Sequence, residues 1–338
     1  MDISAEERKL FELECEEYRE LLAGIRKART ESHKGLGITC IGNAGGSDSI
    51  IHGKPSGGML VRYANRCIIV DPGENSLGFL TREGFDPYQI TDVIATHAHN
   101  DHIGDLTSIV AAALQLNLGA VSDTNIMVSP SLVDYGNPEA TRFGFTLPAY
   151  AWKGNVNVLY WQDMEVTRYD GTTFQSVKSV SLGENIKLTS TKGKHAHMPV
   201  SGFIISTPMG KIGYTGDTEF YPSLAQEYEG VDILWMNMNT LNLNSSLDFN
   251  CAVPKQVSSV QNHLGYIGVC ELIDAVEPRT AIVSHFGSQL LQKVDDIQKI
   301  LRKRYKGKDI KIYCAHTGDE FTFDDSLQEK PGLGNFRP

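Results

Sequence analysis

The feature of this sequence that most constrains its fold is a dense group of histidine and aspartate residues directly after a short apolar run. Residues 92–96 form the run, and the pattern HxHxDH begins one residue later, at His97. The run predicts a buried strand, and alternation past its end puts His97 and His99 on one side of the chain, where they can share one ion. Asp101 and His102 fall on the following turn, which can aim them at a second ion. Imidazole and carboxylate groups are ligands of zinc and related divalent ions, so the pattern predicts a metal site.

An amphipathic stretch follows this cluster after Gly104. Its apolar residues recur at helical spacing: Leu106, Ile109, Val110, Ala113 and Leu114. The metal site is therefore predicted on a strand-to-helix turn. Other histidines, such as His33 and His52, are scattered, and we interpret them as structural or solvated residues.

Later apolar runs also end in a residue that can bind a metal. Residues 211–214 lead to Asp217, and residues 281–284 lead directly to His285. A further segment contains two histidines, His195 and His197, before the apolar run at 202–206.

Together these elements resemble the signature of the metallo-β-lactamase superfamily. The resemblance runs from about residue 36 to residue 324 and implies an α/β (α+β) fold, an αββα sandwich of two mixed β-sheets flanked by helices. It implies two divalent ions, zinc in the first instance with manganese or iron as alternatives. One ion would be held by His97, His99 and His195. The other would be held by Asp101, His102 and His285, and Asp217 would bridge the two ions.

The third histidine of the first ion is the one ambiguous ligand in this set. Related sequences leave several residues between that ligand and the glycine that opens the next strand, which favours His195 and keeps His197 as the alternative. In the same family the aspartate of the Asp71-Pro72-Gly73 segment braces the histidine loop and does not bind metal. A plain turn-forming role for Asp71 is equally compatible with the sequence.

One more histidine bears on the activity. His263 precedes a helical stretch in a way that resembles the ribonuclease Z-like phosphodiesterases, where a histidine assists departure of the leaving oxygen; a plain position near a helix start is the other interpretation. The resemblance implies a phosphodiesterase that cleaves a small phosphodiester or cyclic nucleotide by attack of a metal-bridging hydroxide. Asp101 would orient the nucleophile. The alternatives are a lactone, thioester or amide hydrolase, an RNA-processing nuclease of the ribonuclease Z type, and a non-catalytic relative.

The composition of the chain disfavours some classes of binding partner. The formal charge of −10 disfavours extended nucleic acid, which is normally held by many lysine and arginine contacts to phosphate. No apolar run approaches the ~20 residues of a membrane span. The acidic, polar start of the chain is unlike a secretory signal, so we expect a cytoplasmic protein with no membrane partner. The six dispersed cysteines are expected to be core residues without disulfides.

The chain is expected to have three parts: a helical extension at 1–34, a catalytic domain at 35–324 and a tail at 325–338. Within the domain, 120–185 is a possible insertion that shapes substrate access. Ser4 and Glu7 form a possible capping box, and the helix that follows has one apolar seam: Phe11, Cys15, Tyr18, Leu22 and Ile25. This seam must pack on the domain or on a second copy, which leaves a homodimer possible.

Overall fold

Two large mixed β-sheets pack face to face and form the body of the protein. They are seen in a computed structural model that describes residues 4–30, 32–116, 123–134, 147–183, 185–241, 262–324 and 329–330. Within these ranges the first sheet has eight strands, in the spatial order β17-β16-β1-β2-β3-β4-β5-β6. They are β1 (His33–Cys40), β2 (Gly57–Ala64), β3 (Arg66–Pro72), β4 (Asp92–Ala95), β5 (Asn125–Val128), β6 (Asn155–Val158), β16 (Glu320–Phe323) and β17 (Glu329–Lys330).

The second sheet has seven strands in the described ranges, in the order β15-β14-β13-β12-β11-β10-β9. They are β9 (Ser179–Gly183), β10 (Ile186–Lys192), β11 (Ser201–Thr207), β12 (Gly210–Tyr214), β13 (Ile233–Asn239), β14 (Thr280–Phe286) and β15 (Lys311–Cys314). A separate hairpin pairs β7 (Glu165–Thr167) with β8 (Thr173–Gln175).

Each sheet changes from antiparallel to parallel pairing near its middle. In the first sheet β1, β2 and β3 pair antiparallel and β3 to β6 pair parallel. In the second sheet β9 to β12 pair antiparallel and β12 to β15 pair parallel. Parallel strands end at the same edge of a sheet, so the residues that follow β4, β12 and β14 are delivered to one edge of the sandwich.

Helices cover the outer faces of the sandwich. The α-helices of the described ranges are α1 (Ala5–Thr30), α2 (Ser47–Ile51), α3 (Ser76–Arg82), α4 (Asn100–Ile103), α5 (Leu106–Ala113), α6 (Leu224–Glu227), α7 (Gly265–Val276) and α8 (Val294–Arg304). One apolar core lies between the sheets. A second lies beneath α5 on the first sheet, and a third lies beneath α7 and α8 on the second sheet. Three apolar layers between four structural layers confirm the predicted αββα sandwich.

The N-terminal extension is a helix, as its sequence pattern predicts. The Ser4 and Glu7 side chains each accept a hydrogen bond from the other residue's backbone N–H, which forms the capping box. The end of the helix docks on the domain, where Ile25 is buried, whereas residues 4–21 are exposed.

The structure adds detail to two of the predicted parts of the chain. Within the described part of 120–185, β5 and β6 extend the first sheet and the β7–β8 hairpin stands apart from both sheets, while a role of this segment in substrate access stays a prediction. The tail at 325–338 lies mostly outside the described residues, but Glu329–Lys330 pairs with β16 as a short edge strand. Cys40, Cys67, Cys270 and Cys314 are buried, as expected, and Cys251 is outside the described residues. The expectation was wrong for Cys15, which is exposed because it lies on the part of α1 that the domain does not cover. None of the helices in the described part of the chain combines the length and apolar character of a bilayer span.

Candidate metal centre

The edge of the sandwich where the parallel strands end collects two groups of potential metal ligands. The first contains three histidines and one aspartate, and the second contains two histidines and two aspartates. In each group one donor atom from every residue lies within 4.8 Å of all the others. The first group is His97, His99, His195 and Asp217, and the second is Asp101, His102, His285 and Asp217.

Donor distances in the first group fit a common ion. His99 Nδ1 lies 3.0 Å from His97 Nε2 and 3.1 Å from His195 Nε2. Asp217 Oδ2 lies 3.8 Å from the Nε2 atoms of both His97 and His195. Four donors at the ~2.05 Å typical of zinc–nitrogen bonds stand ~3.3 Å apart in a tetrahedron, a separation within the observed range.

The second group has the same dimensions. His285 Nε2 lies 2.9 Å from His102 Nε2 and 3.1 Å from Asp101 Oδ2. Asp217 approaches both rings, with Oδ2 3.3 Å from His102 Nε2 and Oδ1 3.5 Å from His285 Nε2. Asp217 therefore has a carboxylate oxygen within reach of each group.

The structure distinguishes the two histidines that the sequence left open. The connection between β10 and β11 buries His195 in the first group and leaves the His197 side chain exposed. His195 Nδ1 lies 2.6 Å from the backbone oxygen of Asn262, which fixes the ring with Nε2 toward His99.

Asp71 braces the histidine loop. This buried residue is the last but one of β3. Its carboxylate accepts hydrogen bonds from the Thr96 backbone N–H and hydroxyl, each at 2.7 Å, and from the Tyr214 hydroxyl at 3.0 Å. His102 Nδ1 lies 2.9 Å from the same carboxylate. This contact fixes the His102 ring so that Nε2 faces the second group.

Electrostatics divide the histidines of the metal-free protein into two kinds. Burial lowers the pKa of His195 to about 4 and that of His97 well below its ordinary value, so both rings are neutral and carry a lone pair for a cation. Burial also opposes protonation of His102, but the surrounding carboxylates outweigh it and raise the His102 pKa well above its usual range. Burial opposes ionisation of Asp217 in the same way, and nearby histidines nevertheless hold its pKa well below its usual range. A bound cation would take the place of the proton on His102.

The last histidine of the second group requires an unusual backbone. His285 is the last residue but one of β14 and has a φ of 59°, in the left-handed region, and its Nδ1 is buried without a hydrogen-bond partner among the described atoms. A Cβ added to Gly45 would stand 2.2 Å from that nitrogen, so the ring needs a glycine beside it. Such strain persists only where surrounding structure holds it, and here it aims Nε2 at the second group.

His263 lies beside the two groups without belonging to either. It precedes α7, and its Nε2 is 2.9 Å from Asp217 Oδ2. Asn239 Nδ2 lies 3.2 and 3.0 Å from the two ring nitrogens, and Asn237 Nδ2 donates to Asp217 Oδ1 at 2.9 Å. Sequence reasoning missed both asparagines. The available signal was that they alternate at the end of β13, where polar residues interrupt an apolar run.

A cavity of about 310 Å³ opens over the groups. The start of α2 and the histidine loop line it, together with His195, Asp217 and His263. Gly46 at the start of α2 donates its backbone N–H to Asp101 Oδ2 at 2.6 Å, so the backbone at this end of the helix contacts the second group directly.

Comparison with known sequences shows which family the chain resembles. A family model described as a beta-lactamase superfamily domain matches residues 66–286. An uncharacterised protein of Methanocaldococcus jannaschii is 26% identical over 262 residues, which cover 75% of this chain and 84% of that protein. A hydroxyacylglutathione hydrolase of Pseudomonas savastanoi is 35% identical over 74 residues, only 21% of this chain and 28% of the relative.

Solved structures have the same fold. The metallo-β-lactamase fold protein YhfI of Bacillus subtilis aligns with a TM-score of 0.59 and 16% identity over 85% of this chain and 99% of its own. A diphosphatase of the PhnP family aligns with a TM-score of 0.53 and 13% identity, over 85% of this chain and 97% of that one. The short form of human tRNase Z aligns with a TM-score of 0.52 and 14% identity, over 84% of this chain and 98% of that one. The chain therefore belongs to the metallo-β-lactamase superfamily of metal-dependent hydrolases.

Proposed function

We propose that this protein is a two-metal phosphodiesterase that acts on a small phosphodiester or nucleotide. Two groups of four potential ligands share Asp217, which is the arrangement that two-metal hydrolytic sites use. Bound divalent ions, zinc by preference for the histidine-rich first group, supply an activated water nucleophile and stabilise charge on the phosphoryl oxygens. Metal analysis of the purified protein tests the preference, and a predominance of manganese or iron would contradict it.

The position of His263 is the observation that carries this proposal. An ester oxygen leaves as a poor, strongly basic group unless it receives a proton, whereas a thiolate, with an ordinary pKa of ~8.5, leaves without help. His263 Nε2 lines the cavity 2.9 Å from Asp217 Oδ2, where a proton donor would meet a leaving oxygen. A general acid placed there is more useful for a phosphodiester than for a thioester.

The charges of the centre support an anionic substrate. The carboxylates of Asp101 and Asp217 offset only part of the charge of two divalent ions, and the remainder must be met by the nucleophile and the substrate. Among the described residues that line the cavity there is no lysine or arginine. A diester with one negative charge suits this balance better than a phosphomonoester with nearly two.

The side chains around the cavity have separate roles in the proposed reaction. Asn237 and Asn239 hold Asp217 and His263 in position through their side-chain amides. Asp101 accepts the Gly46 N–H and can orient the attacking water, while His263 donates a proton to the departing oxygen. The neutral rings of His97 and His195 remain available as ligands because burial lowers their pKa values.

A leaving-group series tests this function. The metal-loaded protein is assayed with bis(p-nitrophenyl) phosphate, cyclic mononucleotides, a lactone and a thioester. We expect diester cleavage, and we expect His263→Ala to keep its metal while losing about 10²–10⁴ in rate on substrates with poor leaving groups and much less on p-nitrophenyl esters. Equal rates for parent and variant on every diester would remove His263 from the mechanism, and activity confined to the lactone or thioester would remove the phosphodiesterase proposal.

Hydrolysis of a thioester is the second candidate. It is supported by the 35% identity of a 74-residue segment to a hydroxyacylglutathione hydrolase. This candidate predicts turnover of an acyl-glutathione thioester that does not depend on His263, so the same assays separate the two functions.

A further inference from the structure

A path of buried polar side chains joins the two sheets beneath the metal centre. Asp71 lies on β3 of the first sheet, whereas Tyr214 and Asn237 lie on β12 and β13 of the second sheet. The Tyr214 hydroxyl donates a hydrogen bond to Asp71 Oδ2 at 3.0 Å. The Asn237 amide donates to the Tyr214 hydroxyl oxygen at 3.3 Å and, through its second N–H, to Asp217 Oδ1 at 2.9 Å. The path therefore runs from the aspartate that braces the histidine loop to the aspartate that both groups share.

Every member of this path is shielded from solvent. Asp71, Tyr214 and Asn237 have no exposed surface, and Asp217 is 1% exposed. Burial raises the pKa of Tyr214 well above its ordinary value, so the hydroxyl keeps its proton and remains a hydrogen-bond donor. In such surroundings a polar group that loses its partner finds no water to replace it, so each member of the path restrains its neighbours.

The surroundings of Tyr214 fix its hydroxyl at this point. Its ring packs against Phe203 in the core between the sheets, with the ring centroids 5.2 Å apart. A Cβ added to Gly58 of β2 would stand 3.1 Å from the hydroxyl oxygen, so a larger residue on the first sheet would crowd it. The ring thus fills the space between the sheets, and the hydroxyl makes the polar link.

The two ends of the path contact different groups of candidate ligands. At one end Asp71 lies 2.9 Å from His102 Nδ1 and orients this ring of the second group. At the other end Asp217 Oδ2 lies 3.8 Å from the Nε2 atoms of both His97 and His195 in the first group. When a bound ion restrains the Asp217 carboxylate, the path can pass that restraint to the brace of His102.

We propose that Tyr214 and Asn237 are positioning residues that couple the two metal groups, so that an ion held by the first group prepares the His102 side of the centre for the second ion. This coupling rests on the two-metal centre of the proposed function but not on its substrate. Among the described residues that line the cavity, Asp217 is the only member of the path, so the coupling does not act through contact with substrate.

Removal of one hydroxyl group tests the path. Tyr214→Phe keeps the ring and deletes the link. Tyr305→Phe is the matched control, because Tyr305 is also buried and its hydroxyl donates to the backbone oxygen of Cys270 at 2.9 Å, in the apolar core beneath α7 and α8. In calorimetric zinc titrations, Tyr214→Phe should bind the second ion about 10-fold more weakly than the parent, and Tyr305→Phe should bind both ions as the parent does.

The possible results of this titration are distinct. Equal zinc binding by Tyr214→Phe and the parent, or equal weakening in both variants, would overturn the coupling. A parent that binds a single zinc ion would overturn the two-metal centre itself, and with it the proposed function. Circular dichroism and thermal melting in a chelator check that both variants stay folded.

A double-mutant cycle tests whether the two residues act through one path. Asn237→Ala should weaken the second ion at least as much as Tyr214→Phe does, because it also releases Asp217. In that background Tyr214→Phe should cause a further loss of less than about two-fold, whereas independent effects would multiply. Losses that multiply would overturn the proposal. Visible absorption of the cobalt-loaded proteins should change in Tyr214→Phe and not in Tyr305→Phe, and an unchanged spectrum in Tyr214→Phe would contradict its positioning role.

Discussion

Replacing Asp71 by alanine should damage both the fold and the metal centre. Its carboxylate contacts four potential donors: the Thr96 N–H and hydroxyl, the Tyr214 hydroxyl and His102 Nδ1. The Thr96 hydroxyl has another acceptor 3.1 Å away in His97 Nδ1, so three buried donors lose their acceptor. At about 1–2 kcal/mol for each unsatisfied donor, the free energy of unfolding of the metal-free protein should fall by about 3–6 kcal/mol.

The same substitution frees the His102 ring to rotate, which should weaken metal binding by about 10–100-fold. Guanidinium denaturation in a chelator measures the first effect, and competition with a chromophoric chelator measures the second. Asp105→Asn is the control, because Asp105 accepts from the Leu77 N–H at 2.8 Å without contacting a candidate ligand, so it should change stability alone. If Asp71→Ala binds ions as the parent does and costs less than about 1 kcal/mol, the bracing role is wrong.

Three further predictions concern the remaining histidines. Metal analysis after dialysis should show one ion fewer in His195→Asn and the parental content in His197→Asn; equal loss would contradict the assignment of His195. Because the pKa of His195 is about 4 in the folded protein against 6.5 ordinarily, the unfolded chain binds more protons between these values. The metal-free parent should therefore gain about 3 kcal/mol of stability from pH 4 to 6.5 that His195→Asn lacks, and identical slopes in denaturation at several pH values would refute this. Gly45→Ala should displace His285 and cost an ion, whereas Gly24→Ala, which meets open space, should not; calorimetric metal titration compares them.

The sequence predicts the candidate ligands better than it predicts their surroundings. His97, His99, Asp101 and His102 are adjacent along the chain, and Asp217 and His285 each follow an apolar run, so local patterns suffice to find them. The contacts of Asn237, Asn239 and Tyr214 depend instead on how the strands of the second sheet stand beside one another and beside the first sheet. No local pattern encodes such contacts across elements.

Contacts between elements are also what the sequence does not predict for α1 and for the strands β5 and β6. The seam of α1 indicates a helix with a partner, but only the structure shows that Ile25 of this seam is buried against the chain's own domain. The membership of β5 and β6 in the first sheet was not predicted either, since they are four-residue strands and no local pattern indicates which strands they pair with.

The candidate ligands are spread over both sheets, and this spread orders events during synthesis of the protein. The four donors at 97–102 emerge from the ribosome first, and His285 emerges last, almost 190 residues later. An ion that arrives early meets only an incomplete set of donors on a half-formed sandwich. The centre is complete only after β14 has joined the second sheet, so metal binding is a late step of folding. A shortage of ions therefore affects chains whose synthesis is already finished.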